Sequence, residues 1–225
     1  MKNSENLPAE KIKLTPNIIL RAYSAGIFPM AKSRHDKELF WVDPDRRGII
    51  PLDGLHVSRS LKKKLRTNEF KISYNEDFNG VIMRCAEQSK GRSETWINDE
   101  IISLYTELFK QGFVQTVECR IDEELVGGLY GISLKGAFFG ESMFSRETDA
   151  SKIALIHLVA RLNEDGFSLL DTQFTTDHLI SLGAIEVSRN DYLAQLNKAL
   201  LVESRFNAKG SETSHEAFVS QVLAH

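Results

Sequence analysis

Residues 114–144 run VQTVECRIDEELVGGLYGISLKGAFFGESMF. Within them Val114–Arg120, Leu125–Ser133 and Ala137–Phe144 are rich in β-branched, aromatic and other apolar side chains and have the length of strands. Asp122-Glu-Glu124 and Leu134-Lys-Gly136 are short polar or glycine-containing turns of hairpin length. Three strands joined by two such turns predict an antiparallel meander. Beyond it Asp149 stands where it can cap a helix running to about Asn163, and Ser168–Gln173 predicts a return strand. Asp177–Leu182 then forms a short helix closed by Gly183, and Arg189–Val202 the last helix. Strands followed by a helix and a returning strand define a mixed α+β domain.

Upstream, Pro16–Ala25 predicts a helix with Thr15 as N-cap, Pro16 at N1 and Gly26 as its stop. Ile27–Asp53 is irregular and Pro-rich, and residues 56–66 form a basic helix anchored by Leu61 and Leu65. Asn75–Gln88 and Asn98–Gln111 have helical spacing of apolar residues. The expected organisation is a small N-terminal portion over residues 1–55, a main domain over 56–204 and a polar tail over 205–225, with residues 1–13 also a loose tail.

The chain has 225 residues, 42% of them hydrophobic, enough for a sizeable core. No run approaches the roughly 20 apolar residues that span a bilayer, and the N-terminus lacks the apolar stretch of a signal peptide, so a cytoplasmic address and no membrane partner are expected. Cys85 and Cys119 are too few for a disulfide framework or a closed zinc site, and the histidines show no metal spacing; no metal and no cofactor are expected. The net charge of −3 gives no general attraction to nucleic acid. A polyanionic partner has to be met locally, and Arg59, Lys62, Lys63, Lys64 and Arg66 are the obvious patch.

Several blocks are long and unusual: Ala22-Tyr23…Gly26-Ile-Phe-Pro29, Leu55-His-Val-Ser-Arg-Ser60, Glu94-Thr-Trp-Ile97, Leu125-Val-Gly-Gly-Leu-Tyr-Gly131, Gly140-Glu-Ser-Met-Phe-Ser-Arg146, Leu170-Asp-Thr-Gln173 and Asp177-His178…Ser181-Leu-Gly-Ala184. Together, in order from about residue 14 to about residue 200, they resemble the leucyl/phenylalanyl-tRNA–protein transferase family. Departures include Met30 and Gln115, where many members carry Trp and His. The resemblance implies a GNAT-like mixed sheet flanked by helices. It also implies transfer of Leu or Phe, with Met a third, from aminoacyl-tRNA to an acceptor protein beginning with Arg or Lys, in an N-degron degradation pathway. A monomer is expected.

The implied chemistry is undemanding. An aminoacyl-tRNA is an activated ester, and attack by an α-amine needs no ATP, metal or covalent nucleophile. Positioning supplies much of the rate, and a polar group that accepts the amine proton supplies more. By the resemblance Asp171 and Gln173 form the catalytic pair, two residues apart on one strand and so expected to share a face. Glu141 is assigned to the acceptor's cation or its amine. Tyr23, Trp41, Trp96 and Tyr105 are the aromatic candidates for stacking on the terminal adenine or guarding its approach. Leu129, Phe138, Leu155 and Leu170 are assigned to a pocket for the Leu or Phe side chain, and the basic helix to the acceptor stem. For each, an ordinary packing or solvated role is the alternative. Two rival functions are weaker. An acyl-CoA acyltransferase lacks its glycine-rich turn in Ser145-Arg-Glu-Thr148, and an inert RNA-binding module has no need of Asp171, Gln173 and Glu141.

Overall fold

The computed structural model describes residues 14–88, 94–208 and 222, so the expectations for residues 1–13 and most of the polar tail lie outside it. Among the described residues no helix is long and apolar enough to cross a membrane.

Helix α1 (Pro16–Ser24) starts as expected: the Thr15 hydroxyl accepts from the Ile18 amide at 3.4 Å and Pro16 occupies the first turn, where its missing N–H costs nothing. The segment expected to be irregular contains three short strands, β1 (Phe28–Ala31), β2 (Leu39–Val42) and β3 (Arg46–Ile49). Strands β1 and β2 form a separate hairpin, while β3 joins the main sheet. Strands of four residues carry too little periodicity to be read from sequence. Helix α2 (Arg59–Thr67) is capped by Ser58 and buries Leu61 and Leu65, one turn apart. Strand β4 (Lys71–Tyr74), which the sequence does not announce, precedes α3 (Phe78–Ala86) and α4 (Asp99–Lys110).

The meander is present as β5 (Val114–Ile121), β6 (Glu124–Leu134) and β7 (Ala137–Ser145), paired antiparallel with one register shift in each pairing. Its first turn places both Asp122 and Glu123 at positive φ, the backbone twist that matches a right-twisted hairpin. Helix α5 (Ala150–Glu164) then crosses over to β8 (Leu169–Gln173), which lies parallel to β7. Asp149 stands before α5, but at φ +68° its side chain makes no cap; its carboxylate accepts from Lys152 Nζ at 2.7 Å. Gly127 lets α5 lie close to the sheet, since a Cβ there would come within 2.4 Å of the Ala150 Cβ. The chain closes with α6 (Asp177–Ile180), β9 (Ile185–Ser188), also unforeseen, and α7 (Arg189–Ala199).

The result is a mixed seven-stranded sheet, ordered β4-β5-β6-β7-β8-β3-β9, flanked by helices. Strand alternation divides the core. Tyr130, Phe139 and Leu169 join one apolar cluster with Ile19 and Tyr23 of α1, Val81 and Ile82 of α3 and Tyr105 and Leu108 of α4. Their chain neighbours Leu129, Phe138 and Leu170 join the other, with Leu61 and Leu65 of α2 and most of α5. The parallel β7–β8 pairing covers only Ala137↔Leu169, Phe138↔Leu170 and Phe139↔Asp171. Beyond it no ladder pairing joins β7 to β8, and the candidate residues Glu141 and Gln173 meet there.

Candidate active site

Strand β7 carries a bulge opposite Tyr130 and Gly131: Tyr130 pairs with Ser142 and Gly131 with Gly140, leaving Glu141 as the extra residue. A bulge re-aims the side chain it carries. The Glu141 side chain reaches two buried phenols: the Tyr23 hydroxyl donates to Oε1 at 2.6 Å, and the Tyr105 hydroxyl lies 3.1 Å from Oε2 and 2.6 Å from the Tyr23 hydroxyl. Both phenols donate to the Glu141 side chain, and the third contact joins the two hydroxyls. Burial pushes its pKa up to about 7, with Asp171 adding to the rise and the two tyrosines and Arg47 opposing it. Both tyrosine pKa values are raised, first by burial and next by Glu141.

Gln173 closes the group, its amide Nε2 donating to Glu141 Oε1 at 3.0 Å. Asp171 is 0% exposed. Its oxygens accept from Arg47 Nε at 2.9 Å, Arg47 Nη2 at 2.7 Å, the Tyr192 hydroxyl at 2.7 Å and the Gln173 amide N–H at 2.7 Å. These donors fill the capacity of a carboxylate. Asp171 and Gln173 also meet through the backbone N–H of Gln173, which has a φ of +63°.

Between the sheet and α5 lies a cavity of about 210 Å³. Glu141 lines it, with Leu129, Leu155, Leu170 and Thr172 among its walls. Three of the expected pocket leucines are therefore together. Phe138 is not among the lining residues; it is fully buried beside Phe206. His178 is at the wall, its pKa lowered by burial and then by Lys152.

The aromatic candidates separate. Tyr23 and Tyr105 are 0% exposed, so neither ring offers a face to an adenine; their hydroxyls hold Glu141 instead. Trp41 is 42% exposed on β2, and Trp96 is half-buried against the core. On α2, Lys64 is engaged internally: its ammonium donates to the Thr148 carbonyl at 2.6 Å and lies over the Phe70 ring. Arg59, Lys62, Lys63 and Arg66 make no ion pair among the described residues. Arg146, five residues beyond Glu141, does not pair with it; its guanidinium lies 2.9 Å from the Glu87 carboxylate.

Sequence reading missed Arg47 and Tyr192. Arg47 is 1% exposed, with its guanidinium carbon 4.5 Å from the ring centroids of both Phe28 and Tyr192. Burial alone lowers its pKa, but the neighbouring Asp171 outweighs that and the net shift is upward. In the sequence it is one of two adjacent arginines in a Pro-rich stretch, a pattern that reads as solvated charge.

The family model described as leucyl/phenylalanyl-tRNA protein transferase matches residues 49–197, and the model for the N-terminal domain of the same proteins matches residues 13–45. The chain belongs to the leucyl/phenylalanyl-tRNA–protein transferase family. A member from Rhodospirillum rubrum is 55% identical over 87% of this chain and 92% of its own, and one from Maricaulis maris 53% identical over 86% and 90%. Among solved structures, a functionally unknown conserved protein from Staphylococcus epidermidis aligns at a TM-score of 0.39 and 11% identity, over 81% of this chain and 67% of that one. The family's blocks fall on the geometry just described: Ala22-Tyr23 contributes a phenol, Gly140-Glu-Ser-Met the bulge, and Leu170-Asp-Thr-Gln173 the strand end facing it.

Proposed function

We propose that the chain transfers Leu or Phe, and also Met, from aminoacyl-tRNA to proteins beginning with Arg or Lys, and that the step takes place at Glu141 and Gln173. The observation that carries this reading is a buried carboxylate, held by two phenols and an amide, in the wall of an apolar cavity whose other walls include Leu129, Leu155 and Leu170. The cavity takes the Leu or Phe side chain. The ester carbonyl then lies near Glu141 and Gln173, where the acceptor's α-amine attacks it. The carbon–nitrogen bond forms, the bond from the carbonyl carbon to the 3′-oxygen of the terminal adenosine breaks, and the amine proton passes to Glu141 and on to that oxygen, which leaves as the 3′-hydroxyl. A carboxylate with a pKa near neutrality suits that proton transfer at physiological pH. The Gln173 amide orients the amine or the carboxylate. Asp171, already saturated with donors, serves by fixing Gln173.

Arg59, Lys62, Lys63 and Arg66 are assigned to the phosphates of the acceptor stem, which position the tRNA without reading its sequence. Trp41 remains an exposed aromatic candidate for the terminal adenine. The mixed sheet with a single parallel crossover supports the GNAT-like reading of the fold. A monomer in the cytoplasm is the assignment that goes with this activity. The direct test supplies tRNA charged with labelled Leu to peptides beginning with Arg or with an acetylated Arg. Transfer to the free amine alone is expected; transfer from acetyl-CoA, or none from charged tRNA, refutes the reading.

A further inference from the structure

Arg47 is 1% exposed and does not line the cavity beside Glu141. It nevertheless reaches, through Asp171 and the end of α1, two of the three groups that hold Glu141. Through Nε and Nη2 it grips Asp171, which accepts the Gln173 backbone N–H and thereby favours the left-handed conformation of that residue. Through Nη1 it donates at 3.0 Å to the carbonyl of Gly26, just beyond α1, the helix that carries Tyr23. Gln173 and Tyr23 are in turn donors to the same oxygen of Glu141.

We propose that Arg47 is a positioning residue for the transfer step, locking the Gln173 strand end and the end of α1 into the geometry that aims both donors at Glu141. This rests on the transferase reading above. A buried ion pair is by itself a poor device for stability, because well-packed apolar side chains of similar volume often do as well. What Arg47 adds is direction. Its planar fork engages Asp171 through two nitrogens while a third nitrogen reaches Gly26, and the flanking rings of Phe28 and Tyr192 hold the plane. A lysine has the charge without the fork. Misplacement of a positioning group by about 1 Å can cost on the order of a hundredfold in rate.

The groups facing Glu141 are Tyr23 from α1, Tyr105 from α4, Gln173 and the nearby Asp171 from β8, and Arg47 from β3. Arg47 favours the charged form of Glu141 and Asp171 disfavours it. Removing either charge therefore moves the acid limb of kcat in opposite directions, which a merely structural role does not do.

The test is steady-state transfer from charged tRNA to an Arg-starting peptide across pH 5.5 to 8.5 (roughly the window in which such a group titrates), with thermal melting run alongside. Arg47→Lys is expected to lower kcat roughly tenfold to a hundredfold, with little change in KM for either substrate. Arg47→Gln is expected to move the acid limb up in pH and Asp171→Asn to move it down. If a single variant fails to fold, the pair Arg47→Gln with Asp171→Asn, which leaves no buried charge, is expected to fold and still lose kcat. Folded variants that keep full kcat, or whose acid limbs stay at the wild-type position, overturn the role of Arg47. Absence of transfer by the wild-type protein overturns the transferase reading itself, and this proposal with it.

Discussion

Glu141 is the residue on which the site turns. Its pKa rises on folding from the ordinary carboxylate range to about 7, so the folded protein holds a proton there that the unfolded chain releases. The sign follows from linkage: stability from this group is fully present below the unfolded pKa and declines as pH rises through the folded one. Glu141→Gln should remove that decline, gaining on the wild type by on the order of 3 kcal/mol between pH 4.5 and pH 7.5. Denaturant melts of both proteins across that range check it; parallel stability curves contradict it. Leu155, in the cavity wall, yields a second expectation. Leu155→Phe should depress transfer of Phe more than transfer of Leu, by roughly tenfold or more. Competition between the two charged tRNAs measures the ratio, and an unchanged ratio removes this leucine from the pocket. The sequence made Glu141 conspicuous, because a carboxylate among apolar residues requires a partner. It could not supply the partners, since Tyr23, Tyr105 and Gln173 arrive from α1, α4 and β8. Arg47 and Tyr192 carried no local signal at all.

At the level of elements, the bulge in β7 and the short parallel contact with β8 create the site. The meander and the crossover through α5 were legible because long, periodic strands and a long apolar helix announce themselves. The strands β3, β4 and β9 were not, each being four residues whose sheet neighbours are distant in sequence. The bulge was invisible too, because it depends on register against β6. Helix α2 was legible, and the structure sorts its charges. Reversal of Lys62 and Lys63 to Glu should weaken tRNA binding and lower the salt slope by roughly 0.7–0.9 for each phosphate no longer neutralised. Lys64→Glu should mainly cost stability, because its ammonium is held by the Thr148 carbonyl and the Phe70 ring. Binding isotherms at several salt concentrations separate the two; equal effects on the slope refute the division.

Across the whole molecule, two apolar clusters lie on opposite faces of one sheet. Glu141 connects them: its carboxylate is held by the phenols of the first, and it lines a cavity walled by leucines of the second. With a net charge of −3, the protein as a whole does not attract a polyanion, and the proposed division gives recognition of tRNA to the α2 surface and chemistry to the opening between β7 and β8. The most direct measurement is the pH dependence of kcat for transfer of Leu from charged tRNA to an Arg-starting peptide, compared between the wild type and Glu141→Gln. The account predicts a wild-type rate that climbs through pH about 7 and a variant that is slow and lacks that limb. A Glu141→Gln protein that transfers at the wild-type rate with the same profile would contradict it.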